Sequence, residues 1–276
     1  MRIPNWFRCE SDKTRFHAAW NLHAAGTVTH GFSTRVGGQS RPPYHSLNLS
    51  LAVGDDAGAV LANRRAFAEA LGVDADRLVV ANQTHSASAA RVAEADAGAG
   101  AIEHGTSIPD TYALITDVPG ITLALSFADC ACVFLLDPVN RAIGAVHAGW
   151  KGTALGITRE AVRAMTREFR SWPDQLLAAI GPCICRHCYD VGEDVANEIT
   201  RAFGSDQRVL SPSAAGKWRL DLKTANLQLL REAGLPESGI AISDECTSCN
   251  AGEFFSYRRD GDTGRMGGWI ALRPNV

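Results

Sequence analysis

The chain has 276 residues, of which 46% are hydrophobic and 21% charged, and a formal net charge of −3. These proportions exclude a disordered chain, and the slight acidity excludes a protein that holds nucleic acid by bulk charge. No stretch approaches the roughly 18 apolar residues of a membrane span. Met1 to Phe7 lacks the apolar core of a secretory leader, so a cytoplasmic protein with no membrane partner is expected.

The elements follow in chain order. Asp55-Asp56, then Val60, Phe67 and Leu71 at helical spacing, then Gly72, read as a capped helix. Leu78 to Ala81 reads as a short strand. Ala87 to Gly105, rich in alanine and glycine, reads as a loose loop. Ile121 to Ala128 is a stronger strand. Cys132 to Leu136 and Ala142 to Val146 flank Asp137-Pro138-Val139-Asn140, which is turn chemistry, and predict a hairpin. A helix is predicted from about Thr153 to Phe169, with Leu155, Val162, Met165 and Phe169 on one face. Leu176 to Ile180 is a strand closed by Gly181-Pro182. Asp190 to Phe203 and Leu222 to Ala233 read as helices, and Ile240 to Ile242, Phe254 to Tyr257 and Trp269 to Leu272 as strands. Strands and helices alternate irregularly, with hairpins. The pattern predicts an α/β (α+β) fold, a mixed sheet flanked by helices, in one domain over residues 1–276.

Eight cysteines and eight histidines carry the chemistry. In a reducing compartment the thiols serve packing, metal binding or catalysis rather than disulfides. His85, Cys130 and His147 each stand just after a predicted strand, where a rigid scaffold can aim them. Two imidazoles and a thiolate suit zinc and leave a fourth position open. Unrelated packing residues, or a Cys130 nucleophile with a histidine base, are the alternatives. His147-Ala148-Gly149-Trp150-Lys151-Gly152 passes from strand to helix through two glycines and a lysine. That suits an anion such as phosphate, or a tight connection that needs glycine for its backbone angles. Cys183-Ile184-Cys185-Arg186-His187-Cys188 and Cys246-Thr247-Ser248-Cys249 could supply a four-thiolate structural zinc, against the plainer reading of buried or loosely reactive thiols. Cys9 and Cys132 read as packing residues. Ser33 to Gly38 and Ser46 to Leu49 form polar loops, and Phe255 to Gly261 reads as a hairpin tip with solvated charges.

Taken in order, Thr29 to Gly38, Ser46 to Leu49, Gln83-Thr84-His85-Ser86, Ala128-Asp129-Cys130, His147 to Gly152, Ile180-Gly181-Pro182 with Cys188 to Gly192, and Cys246-Thr247 with Phe255 to Asp260 resemble the purine nucleoside phosphorylase family of the multicopper polyphenol oxidase, or laccase-domain, type. The resemblance covers about residues 29 to 272. It implies two mixed sheets sandwiched between helices, in α/β/β/α layers. It also implies one zinc per chain held by His85, Cys130 and His147, with copper as the alternative metal. The implied activities are phosphorolysis of adenosine, inosine and methylthioadenosine, and deamination of adenosine; the implied partners are purine nucleosides and phosphate, in a monomer or small homo-oligomer. Within that reading Cys130, His85 and Arg258 are the expected catalytic residues. Arg35, Asn48 and Lys151 are the expected substrate contacts. Lys151 stands where the family more usually has arginine, and Asp190 where it has glutamate. A lysine cannot reproduce a bidentate arginine contact.

Two other activities compete. The resemblance also implies, through similar bacterial proteins, a cysteine or zinc hydrolase editing amino acids in peptidoglycan precursors, which would use the same ligands. A copper polyphenol oxidase fits less well, because multicopper sites need many histidines in H-x-H pairs and none occurs here.

Overall fold

The computed structural model describes residues 5–11, 14–83 and 87–274. A first six-stranded sheet has the order β1 (Trp6–Glu10), β2 (Arg15–Ala19), β3 (Val28–Ser33), β15 (Met266–Leu272), β7 (Thr122–Phe127) and β4 (Leu78–Val80). Its pairs are antiparallel except β4 with β7. The second sheet runs β14 (Ile240–Ile242), β10 (Leu177–Ile180), β8 (Ala131–Asp137), β9 (Ala142–Ala148), β6 (Ala113–Thr116) and β5 (Ala89–Arg91). Here β10–β14 and β5–β6 are parallel and the remaining pairs antiparallel. A small third sheet joins β11 (Asp190–Val191), β13 (Trp218–Leu220) and β12 (Leu210–Pro212).

The two large sheets face each other. Phe32, Leu125, Phe127 and Ile270 of the first pack against Cys132, Phe134, Ile143 and Ala145 of the second. The outer face of the first sheet is covered by α2 (Ala57–Leu71), whose Phe67, Ala68 and Leu71 meet Leu78, Ala124 and Trp269. The outer face of the second is covered by α4 (Ile157–Phe169) and α6 (Leu222–Glu232). The result is the mixed α/β/β/α layering that the resemblance implied. Every residue of β8 is buried, because helices close one side of that strand and the first sheet the other. That double burial explains a continuous apolar run in place of alternation.

Local signals explain most boundaries. Asp56 caps α2 by accepting from Ala59 N at 2.8 Å, and Gly72 ends it at φ +69°. The Asp137 carboxylate accepts from the backbone N–H groups of Val139 and Asn140, both at 2.9 Å, and closes the predicted hairpin turn.

Several expectations are corrected. The helix predicted from Thr153 is two helices, α3 (Trp150–Ala154) and α4, broken at Gly156, whose φ is +77°. Leu155 therefore leaves the buried face and is 53% exposed. The helix predicted from Asp190 begins later, as α5 (Glu193–Phe203), because Asp190 and Val191 pair with β13. Phe254 to Tyr257 is not a strand. Phe254, Phe255 and Ser256 form a buried segment leading into α7 (Tyr257–Asp260), capped by Ser256, which accepts from Arg259 N at 3.2 Å. Ala87 to Gly105 contains β5 and a short 3-10 turn at Glu94–Asp96. A short helix α1 (Trp20–Ala24) also precedes β3.

Candidate active site

Cys130 and His147 owe their meeting to the β8–β9 register. Cys132 stands opposite His147 and Ala131 opposite Ala148, so Cys130 and His147 are diagonal neighbours on the face turned toward the first sheet. The Phe127 ring of that sheet stacks on His147, with centroids 5.0 Å apart and planes 14° apart. On another side Tyr112 lies 5.2 Å from the same imidazole, centroid to centroid. His147 Nδ1 lies 3.1 Å from the Ser126 carbonyl oxygen and also meets the Gln83 amide. Cys130 Sγ and His147 Nε2 lie 2.9 and 3.8 Å from the point where a β-carbon on Gly149 would sit.

Cys130 belongs to the turn that carries the chain from β7 in the first sheet to β8 in the second. Asp129, just before it, has φ +94°, a conformation that costs a non-glycine residue on the order of 1–2 kcal/mol. Its buried carboxylate holds it there. Oδ1 accepts from Thr247 Oγ1 at 2.6 Å, and Oδ2 from Ser256 Oγ at 3.0 Å and Arg258 N at 2.7 Å. Asp129 thus ties the cysteine turn to the 246–249 loop and to the start of α7. Burial, and then the Asp129 carboxylate, push the Cys130 thiol up to about 12. An unassisted Cys130 is therefore a neutral thiol near pH 7 rather than a ready nucleophile.

Two cavities meet at this pair. One, of about 360 Å³, is lined by Tyr112, Cys130, His147, Lys151, Ile184, Tyr189 and Arg258, among others. The other, of about 520 Å³, includes Gln83, His104, Tyr112, Cys130, His147 and Arg265. Ala128, Cys130, His147, Tyr112 and Tyr257 line both. Their sizes suit small-molecule ligands. Burial raises the Tyr112 phenol to about 12 and lifts that of Tyr189 further still, so both rings enter the cleft uncharged. Arg258 lies over Tyr189, with its guanidinium carbon 5.0 Å from the ring centroid, and donates from Nη1 to the Asp190 carbonyl at 2.7 Å.

The predicted site residues divide accordingly. Cys130, His147, Lys151 and Arg258 converge on the cleft. His85 lies outside the described residues. Arg35 and Asn48 do not line either cavity, and their polar atoms are engaged in nearby loops. Arg35 donates from Nε and Nη2 to the His45 carbonyl and from Nη1 to that of Ala251. Buried Asn48 donates to Asp55 Oδ2 at 2.8 Å and accepts from Arg265 N at 2.9 Å. Both brace the loops around the site. The glycines of the His147 motif also act differently from expectation. Gly149 has an ordinary φ of −73°, and Gly152 lies within α3; what each position requires is space, a β-carbon on Gly152 meeting Tyr112 at 3.0 Å. Tyr112 and Arg265 escaped sequence reading. Tyr112 sits in an unremarkable strand entry, and Arg265 reaches the cleft only through the fold.

The described residues contain one group of three or more metal-binding side chains close enough to share an ion: Cys185, Cys188, Cys246 and Cys249. No histidine cluster of multicopper type occurs among them. Cys132 is wholly buried between the sheets, as a packing residue should be, and no helix among the described residues is long and apolar enough to cross a membrane.

Residues 29–273 match the family described as multi-copper polyphenol oxidoreductase laccase. The chain is 41% identical over 254 residues to purine nucleoside phosphorylase YlmD of Geobacillus stearothermophilus, covering 90% of this chain and 91% of the relative. It is 37% identical over 232 residues to adenosine deaminase RL5 from an unknown prokaryotic organism, covering 83% and 88%. The crystal structure of Bacillus licheniformis hypothetical protein YfiH superposes with a TM-score of 0.91 at 40% identity, covering 96% of this chain and 99% of that one. With nine-tenths of its length matched at this identity, the chain belongs to the multi-copper polyphenol oxidoreductase laccase family, which includes relatives named purine nucleoside phosphorylase and adenosine deaminase.

Proposed function

We propose that this cleft performs phosphorolysis of adenosine, inosine and methylthioadenosine, and deamination of adenosine, with zinc held by His85, Cys130 and His147. The observation that carries the reading is the convergence of Cys130 Sγ and His147 Nε2 beside Gly149, on the wall shared by two cavities. The space that a β-carbon would fill is bordered by one soft sulfur and one imidazole nitrogen, a donor set that suits zinc. When bound, zinc would hold Cys130 as the thiolate and act as a Lewis acid toward a substrate oxygen or water.

The chain's own groups supply the rest. Uncharged Tyr112 and Tyr189 offer flat faces for a purine. Lys151 and Arg258, in the same cavity, offer positive charge to phosphate, with Lys151 acting as a point charge. In phosphorolysis a phosphate oxygen bonds to C1′ of the ribose as the C1′–N9 bond breaks, and the departing base takes the electron pair and a proton. Fixed positive charge beside C1′ draws the phosphate in and shortens its approach. In its cysteine form the hydrolase alternative needs Cys130 as an ionised nucleophile, and burial of the thiol opposes that; its zinc form would use the same ligands.

The test is incubation with adenosine, with and without phosphate, and identification of the products. Adenine and ribose 1-phosphate should form only when phosphate is present. Cys130→Ala and His147→Ala should each lower the rate at least about 100-fold, and Arg258→Ala should raise the KM for phosphate. Release of amino acids from a peptidoglycan precursor without nucleoside turnover would establish the hydrolase instead.

A further inference from the structure

We infer that Cys185, Cys188, Cys246 and Cys249 form a second metal site, a closed tetrathiolate that takes one zinc ion and clamps two loops bordering the cleft. The four Sγ atoms lie within 4.8 Å of one another. Four zinc–sulfur bonds of about 2.3 Å in a tetrahedron separate the sulfurs by about 3.8 Å. A small contraction of the group therefore suffices for one ion, whereas an iron–sulfur cluster spreads its thiolates around several metals. The donors come from two C-x-x-C turns, at 185–188 and 246–249, and both are turns in the structure. Such paired turns are what closed zinc sites are built from.

The hydrogen bonds agree. Cys188 N donates to the Cys185 carbonyl at 3.0 Å and closes the first turn. Cys246 Sγ accepts from Cys185 N at 3.2 Å and from Cys249 N at 3.4 Å, one from each turn. Backbone N–H groups aimed at sulfur stabilise it as a thiolate ligand. Cys188 Sγ and Cys249 Sγ are 3.4 Å apart. The neighbouring Cys183 is excluded: it is wholly buried, and its sulfur lies against the Ile184 carbonyl at 3.6 Å.

The position gives the site its consequence. The first turn runs into Tyr189 and Asp190, which hold Arg258. Within the second turn, Thr247 bonds Asp129, and the carbonyls of Thr247 and Ser248 accept from Arg259 Nη1, both at 2.9 Å. An ion joining the turns fixes one wall of the cleft against the turn that carries Cys130. The inference does not depend on the reaction proposed above.

The experiment separates this ion from any held in the cleft. Cys130→Ser removes a cleft ligand and leaves all four thiols of the second group. Purified under reducing conditions and dialysed, that variant should retain one zinc per chain by elemental analysis, and a mercurial reagent should release it. Replacement by cobalt(II) should give the intense thiolate-to-cobalt absorption of a tetrahedral four-sulfur site. Adding Cys188→Ser and Cys249→Ser should cut zinc content to less than a tenth. The inference fails if Cys130→Ser neither holds zinc nor gives that cobalt spectrum. It also fails if mass spectrometry finds the thiols of reductant-treated protein paired as disulfides, or if the added serines leave the zinc in place.

Discussion

Gly149 shows how much one missing carbon can decide. Its backbone angles are open to any residue, yet its hydrogen borders both the sulfur of Cys130 and the imidazole of His147. Gly149→Ala should leave the fold intact and lower kcat/KM for adenosine phosphorolysis by about 100-fold or more, the cost of displacing a site group by about an ångström. Steady-state kinetics and zinc analysis of the variant check this, and wild-type values in both would remove Gly149 from the site. The motif points to a glycine kept for its torsions, whereas this position requires space, because torsion preference is local and crowding is not. Asp129 is a similar case. It stood beside a candidate ligand, but the three donors that hold its carboxylate come from segments more than a hundred residues away.

At the scale of elements, the break between α3 and α4 follows from one torsion. A glycine inside a continuous helix gains about 1 kcal/mol on replacement by alanine. At Gly156 the sign should reverse, because φ is +77° and the new β-carbon meets the Arg159 guanidinium at 2.9 Å. Gly156→Ala should cost about 1–2 kcal/mol in urea unfolding, whereas Leu155→Gln should stay within about 0.5 kcal/mol because that side chain faces water. A stabilised Gly156→Ala would restore the continuous helix. Helices were legible where the apolar period was long and the caps explicit, as in α2. The Phe254 to Tyr257 segment misled because buried aromatic residues suit either a strand or a packed turn.

For the molecule as a whole, the sandwich interior imposes a pH dependence. His30 of β3 is buried against Phe134, and its Nε2 accepts from Ala19 N at 2.9 Å. Burial first, then the His23 and Arg273 charges, lower its pKa to about 4. The unfolded value is near 6.5. The neutral ring is the form that the fold holds, so its contribution is fully present above about pH 6.5. That contribution is lost as pH falls toward 4, a loss on the order of 3 kcal/mol. Urea midpoints measured from pH 7 to pH 4 should fall more steeply for the wild type than for His30→Gln, which keeps an acceptor but cannot ionise. Parallel slopes would assign the acid sensitivity to other groups.

The sequence by itself determined the alternation of strands and helices, the turn at Asp137, the cap at Asp56 and the polar strand ends at Cys130 and His147, because each depends on residues close in the chain. Only the tertiary structure decided that there are two facing sheets, that Arg35 and Asn48 join loops distant in the chain, and that four of the eight cysteines gather in one place. Those outcomes depend on strand order and register, which bring together residues separated by tens to hundreds of positions. The pairing that sets Cys185 and Cys188 beside Cys246 and Cys249 is the clearest instance: each C-x-x-C turn is local, but their meeting follows from two loops closing on the same end of the sandwich.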